Sequence, residues 1–168
     1  MHGYPQYCVS IALAQRGVVT QGLVYDPVRN DLFTATKGAG AYLNDKRIRV
    51  TRHDRLANAL LSSGHGAGPR ALDEYLKMYQ IMAERCQGIR TAGSAALDLA
   101  NVAAGRSDGY YEKGLKQWDL AAGALLVSEA GGIVGEFDGE SDFMKKGNVI
   151  AAGPKVFAQM VQLLSPFA

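Results

Sequence analysis

Apolar and polar residues alternate along the first fifty positions. Residues 8–14 read as a strand, Gln15-Arg16-Gly17 as a turn, and residues 18–25 as a second strand. Asp26 to Asp31 form the next turn, because Pro27 fixes its φ and Asp and Asn tolerate turn geometry. A third strand over 32–36 leads through Lys37-Gly38-Ala39-Gly40 to a short hairpin around Asn44-Asp45. β-branched and aromatic residues between regularly spaced turns are the pattern of an antiparallel meander.

The texture changes after residue 55. Residues 56–63 read as a strand that ends in the glycine-rich loop Gly64-His65-Gly66-Ala67-Gly68-Pro69. Leu72, Tyr75, Leu76, Tyr79 and Met82 recur at helical spacing and predict one apolar helix face. An extended stretch over 90–94 runs into a small-residue helix over 95–104. Strands follow at 109–112, 133–137 and 148–152, and helices at 119–130 and 155–164, with Gly131-Gly132 stopping the first. Helices alternating with strands predict a layered α/β (α+β) arrangement packed on the first sheet. Two portions result: 1–55, an antiparallel sheet, and 56–168, an α/β portion.

Composition narrows the class. The chain has 168 residues, 48% of them hydrophobic and 20% charged, as expected of a soluble globular protein. A formal net charge of +2 implies no nucleic-acid or membrane partner by itself. The longest apolar run, around 121–127, is too short to span a bilayer, and the N-terminus lacks the pattern of a signal peptide. Cys8 and Cys86 lie far apart in apolar surroundings and read as reduced, buried thiols of a cytoplasmic protein.

Chemistry concentrates in two segments. In WDLAAGALLVSEAGG, residues 118–132, Asp119 sits where a helix begins, so its carboxylate can accept bonds from free backbone N–H groups. An ionised oxygen held at a rigid helix start also suits a hard cation such as Mg²⁺. On spacing alone, however, Asp119 reads as a helix-capping aspartate, since a lone carboxylate is not a metal site. Ala121, Ala122 and Gly123 allow the first turn to approach another backbone or a ligand closely. In the second segment, Gly93-Ser94-Ala95 at a helix start offers N–H groups and a hydroxyl to a polyol or anion. Arg90 could pair with phosphate, and Glu112 follows on a strand. Capping by Ser94 and a surface arginine explain the same residues without a ligand. Lys46, Arg47, Arg49, Arg52 and Arg55 form the strongest basic cluster, but no aromatic interleaves it, so it reads as a solvated strand edge. His2, His53 and His65 lack zinc-ligand spacing.

Taken together these segments resemble the inositol monophosphatase family, especially its bacterial members. Residues 118–132 are similar to its C-terminal signature, W-D-x-A-A-G-x-L-L-V-x-E-A-G-G, and residues 22–44 and 89–119 are similar to it throughout. The resemblance implies an inositol monophosphatase-like αβαβα sandwich. It also implies Mg²⁺-dependent hydrolysis of a small phosphorylated polyol by an activated water, lithium-sensitive in many members. Carried over by motif, Asp119 becomes a metal ligand beside the substrate, while Gly93, Ser94 and Ala95 line the inositol pocket. Glu112 contacts inositol hydroxyls, and Arg90 matches a substrate-side arginine of bacterial members. Some bacterial relatives act instead in transcription antitermination, which makes antitermination factors or RNA the alternative partners.

The departures are equally specific. His2-Gly3-Tyr4-Pro5 and Val9-Ser10-Ile11-Ala12 match a segment that follows the family's D-P-[LI]-D-G-T signature, but that signature is absent, so the sandwich is expected to be incomplete at its N-terminus. With it go a glutamate pair, aspartates that hold the first metal, and a threonine that positions the attacking water. No further catalytic residue is retained. The expectations are a sheet with an open apolar face, self-association as a homodimer or aggregate through it, weak Mg²⁺ binding and little activity.

Overall fold

The computed structural model describes residues 2–66 and 69–168, the side chains of residues 69 and 70 apart. Its first sheet is the expected meander: β1 (Val9–Gln15), β2 (Val18–Asp26), β3 (Asp31–Thr36), β4 (Gly40–Leu43) and β5 (Lys46–Arg47) pair in sequence order, all antiparallel. Arg16, Asn30, Asn44 and Asp45 take positive φ in its turns. Of these, Asn and Asp tolerate the left-handed region best. The Asp26 carboxylate accepts the Val28 and Arg29 N–H groups and the Arg29 guanidinium, which fixes the second turn.

The second sheet is mixed. It contains β6 (Leu60–Ser63), β7 (Gly88–Arg90), β8 (Gly109–Glu112), β9 (Ile133–Gly135) and β10 (Val149–Ala152), in the order β7-β6-β8-β10-β9. The β6 strand runs parallel to both β7 and β8, whereas β10 runs antiparallel to β8 and β9. The helices are α1 (Pro69–Ala83), α2 (Ala95–Ala103), α3 (Gln117–Glu129), α4 (Phe143–Lys146) and α5 (Pro154–Leu164).

Four layers follow from the packing: first sheet, α2 with α3, second sheet, then α1 with α5. One core joins the inner face of the first sheet (Val24, Phe33, Ala35, Ala41) to Leu99, Leu120, Leu126 and Val149. The other joins Leu61, Tyr111 and Ile150 to Met78 and Met82 of α1 and to Val156, Phe157 and Met160 of α5. The layered α/β expectation therefore holds, and among the described residues no helix is long and apolar enough to cross a membrane.

Several details differ from the sequence reading. Residues 56–63 are not one strand: a 3₁₀ turn at Leu56–Asn58 precedes β6. Gln159 of α5 accepts the Leu56 N–H and donates to the Asp54 and Lys155 carbonyls, which holds that turn off the sheet. On α1 the buried face is Tyr75, Met78 and Met82, while Leu72, Leu76 and Tyr79 are exposed. The apolar arc on this helix is wider than the surface it meets. The strand predicted over 133–137 stops at Gly135, and the short α4 was not anticipated. Both cysteines are free, and they are half-buried rather than fully buried. Ala67 and Gly68 of the glycine-rich loop lie outside the described residues.

The outer face of the first sheet is uncovered. Val9, Ile11, Leu13 and Leu32 are 38–58% exposed, and Val9 and Ile11 stand opposite Tyr25 and Leu23 on β2. A contiguous apolar face of this kind drives association. The isolated chain is expected to self-associate, and Ile11→Lys with Leu13→Lys to reduce it, as read by light scattering against concentration. A monodisperse parental monomer at all concentrations would contradict this.

Candidate active site

The helix α3 carries the site because it is forced into close contact on two sides. A Cβ at Gly22 of β2 would lie 2.9 Å from the Ala122 carbonyl oxygen, and one at Gly123 would lie 2.5 Å from Leu99 Cβ of α2. The small residues predicted to allow close approach therefore meet protein on both flanks. At the far end of the helix the Glu129 carboxylate accepts the Gly38 and Gly40 N–H groups, at 2.7 and 2.8 Å. The helix is held between strand, helix and turn, and its first turn is directed at a cleft of about 520 Å³.

Five of the six predicted site residues line that cleft: Gly93, Ser94, Ala95, Glu112 and Asp119. Asp119 is the third residue of α3, not its cap, and Lys116 holds the capping position. Its Oδ2 accepts the Lys116 N–H at 2.9 Å, so the carboxylate is oriented by its own helix start. Ser94 is the residue before α2, but its hydroxyl does not cap that helix. It stands 3.7 Å from the Cys8 thiol instead, leaving the first N–H groups of α2 without a side-chain cap. Gly93 has φ +88°, a conformation other residues rarely adopt, and this turns the chain into α2.

Glu112 ends β8 and is half-buried. The Tyr110 hydroxyl donates to its Oε2 at 2.5 Å. Burial pushes the Glu112 carboxyl up from its ordinary range; the Tyr110 bond opposes this and the nearby Asp119 charge adds to it. Gly64 makes the room: a methyl group there would overlap the Glu112 carboxylate. Sequence reading treated residue 64 as part of a plain loop, and nothing in the local pattern reveals that contact. Cys8, Ser10, His65, Thr91, Leu115 and Trp118 also line the cleft. Ser10 of β1, and Cys8 just before that strand, could have been found from alternation, since they share the parity that faces α3.

Arg90 is the exception. It lies on β7 and lines a different groove with Arg29, Asp98 and Arg106, and its guanidinium donates to the Ile89 carbonyl at 3.2 Å. Asp98, buried in α2, is raised to about 7, first by burial and then by the Glu112 charge. The native state therefore holds this proton more tightly than the unfolded chain does, whose ordinary value is about 4. Stability falls as pH rises from about 4 to 7 and levels off above, by on the order of a few kcal/mol. Asp98→Asn is expected to flatten that decline in urea unfolding measured from pH 5 to 8. An unchanged slope in the variant would refute the assignment.

The donor set can be judged for a cation. Asp119 and Glu112 are the carboxylates of the cleft, and among the described residues no group of three His, Cys, Asp or Glu is placed to hold a metal. Mg²⁺ needs near-octahedral oxygen coordination. The described side chains, with two carboxylates in the cleft, do not complete such a site.

The order sheet, helices, sheet, helices defines a layered α/β fold, and its cleft is walled by a Gly-Ser-Ala helix start and two carboxylates. The chain belongs to the inositol monophosphatase family, whose family model matches residues 1–165. It is 46% identical over 166 residues to a putative Nus factor SuhB from Neisseria meningitidis serogroup B, covering 98% of this chain and 64% of that protein. It is 44% identical over 154 residues to an inositol-1-monophosphatase from Mesorhizobium japonicum, covering 90% of this chain and 57% of the relative. The fold matches the structure of an inositol monophosphatase from Anabaena with a TM-score of 0.94 and 37% identity, over 98% of this chain and 69% of that one. The chain thus spans about 64% of the length of the Neisseria relative.

Proposed function

We propose that this chain forms the polyol-binding wall of a phosphomonoesterase acting on inositol monophosphate or a similar small ester. The observation that carries the reading is the convergence of Gly93, Ser94, Ala95, Glu112 and Asp119 on one cleft, from segments that the sequence separates by up to 26 positions. In this reading the half-buried Glu112 accepts hydrogen bonds from ring hydroxyls, and Tyr110 fixes its orientation. The first N–H groups of α2 and the Ser94 hydroxyl face the substrate's oxygens. Asp119 offers a carboxylate oxygen to a hard cation, the Mg²⁺ expected from the family. Because the donor set of this chain does not complete that site, no chemical step is assigned to it. The half-buried free thiols of Cys8 and Cys86 support a cytoplasmic setting.

A second reading has its own support. Several relatives carry the name Nus factor SuhB, including the one from Pseudomonas aeruginosa at 45% identity. Under that reading the chain acts without catalysis, beside antitermination factors or RNA.

For the 168-residue chain, phosphate release from inositol 1-phosphate in Mg²⁺ is expected to stay near background, and calorimetry to show only weak Mg²⁺ binding. Turnover matching a full-length relative would overturn the incompleteness of the site.

A further inference from the structure

A second concavity, of about 410 Å³, lies at the opposite end of α3 from Asp119. The 13-residue helix places it ~18 Å from the carboxylate cleft. It is lined by Arg49, Val50, Thr51, Arg52, His53, Ala130, Gly131, Pro154 and Lys155, so no carboxylate among the described residues lines it. Arg49 and Arg52 of the basic cluster noted in the sequence, which the cleft chemistry does not use, line it together with Pro154 and Lys155 of α5.

The cations of the groove are not held by carboxylates. Arg29, Arg106, Lys113 and Lys146 each meet a carboxylate. Among the described residues Arg49, Arg52 and Lys155 meet none; Arg49 donates only to the Ile48 carbonyl, at 3.1 Å. Only His53, at the edge, faces an acid: its Nε2 is 3.7 Å from Asp108.

The walls are also fixed. The Val50 N–H donates to the Ala130 carbonyl at 3.2 Å, so that carbonyl at the end of α3 is already occupied. A Cβ at Gly153 would lie 2.8 Å from the Thr51 carbonyl oxygen, and one at Gly132 would lie 2.9 Å from Val50. These glycines let the 50–53 linker lie against the start of α5. That helix begins with Gly153 as its cap and Pro154 in its first turn, so no side chain receives the N–H groups that follow.

The geometry points to a phosphate-binding site in this groove, made by the Arg49 and Arg52 guanidinium forks, the Lys155 ammonium and the first N–H groups of α5. Two planar forks, a point charge and helix-start donors suit a tetrahedral oxyanion, and the apolar floor of Val50, Ala130 and Pro154 offers nothing to an organic cation. Among the described residues no Phe, Tyr or Trp lines the groove, and the ring of His53 faces Asp108, so recognition rests on the phosphate. The source of the phosphate is either the free ion or the backbone of a single-stranded oligonucleotide. The inference is independent of the cleft chemistry.

The test titrates the whole chain at low salt with inorganic phosphate, and separately with a uridylate decamer, following backbone amides by NMR. The amides of residues 52–53 and 155–156 are expected to shift saturably, and Arg52→Gln with Lys155→Gln to weaken binding about tenfold or more. Both substituted side chains are exposed, so the fold is retained and circular dichroism verifies it. Lys46→Gln with Arg47→Gln removes the same charge from β5 and is expected to leave binding unchanged. Saturation by phosphate alone identifies a small-anion site. Tighter, salt-dependent binding of the decamer identifies a backbone site. The proposal fails if neither probe moves those amides, if the groove variant binds like the parent, or if the β5 variant weakens binding equally.

Discussion

The close approach of α3 to its neighbours is the constraint on which the remaining geometry rests. Gly22 admits the Ala122 backbone to β2, and Gly123 admits Leu99 of α2. A methyl group at either position would have to displace backbone or a packed core residue, and overpacking of this kind typically costs about 1–3 kcal/mol. Because the helix is buried between two sheets, its ends are the parts that reach solvent. One end delivers Asp119 to the cleft, and the other delivers Ala130 and Gly131 to the basic groove. A single packed element thus sets the position of two chemically opposite concavities.

The two sheets are tied by polar contacts as well. Arg106, just before β8, donates to Asp31 of β3 at 2.7 Å and lies 5.6 Å from the centre of the Phe33 ring. Asp108 accepts the Leu60 N–H at 2.7 Å and so braces the start of β6 against the loop leading to β8. These bonds hold β8, and with it Glu112, at a fixed height over the first sheet. The buried groups around Glu112 depend on that rigidity: burial raises Asp98 and Tyr110 most, and the Glu112 charge adds to each.

Much of this was legible in the sequence, and the failures have physical causes. The meander was readable because alternation and turn residues are local signals, and five strands appeared where the turns placed them. The Gly93-Ser94-Ala95, Glu112 and Asp119 grouping was readable only through the family resemblance, since no periodicity brings those positions together. The cap was placed at Asp119, three positions past Lys116, because a carboxylate at the third helical residue and one at the cap carry similar sequence signals. Arg90 lines a different groove from the other five, because the direction of an edge-strand side chain turns on strand parity, which a motif match does not carry. The α1 face was drawn too wide because apolar content says nothing of how much surface the neighbour offers. Gly64 was missed because its role is to leave space for a residue 48 positions away.

The central claim is that Ser94, Glu112 and Asp119 form one polyol-binding wall. Its most direct test is an NMR titration of the chain with inositol 1-phosphate, following the backbone amides of residues 93–96 and the Trp118 indole. The account predicts saturable shifts confined to this cleft, and their loss in Glu112→Gln with the fold intact. Shifts that appear elsewhere, or that persist unchanged in that variant, would contradict it.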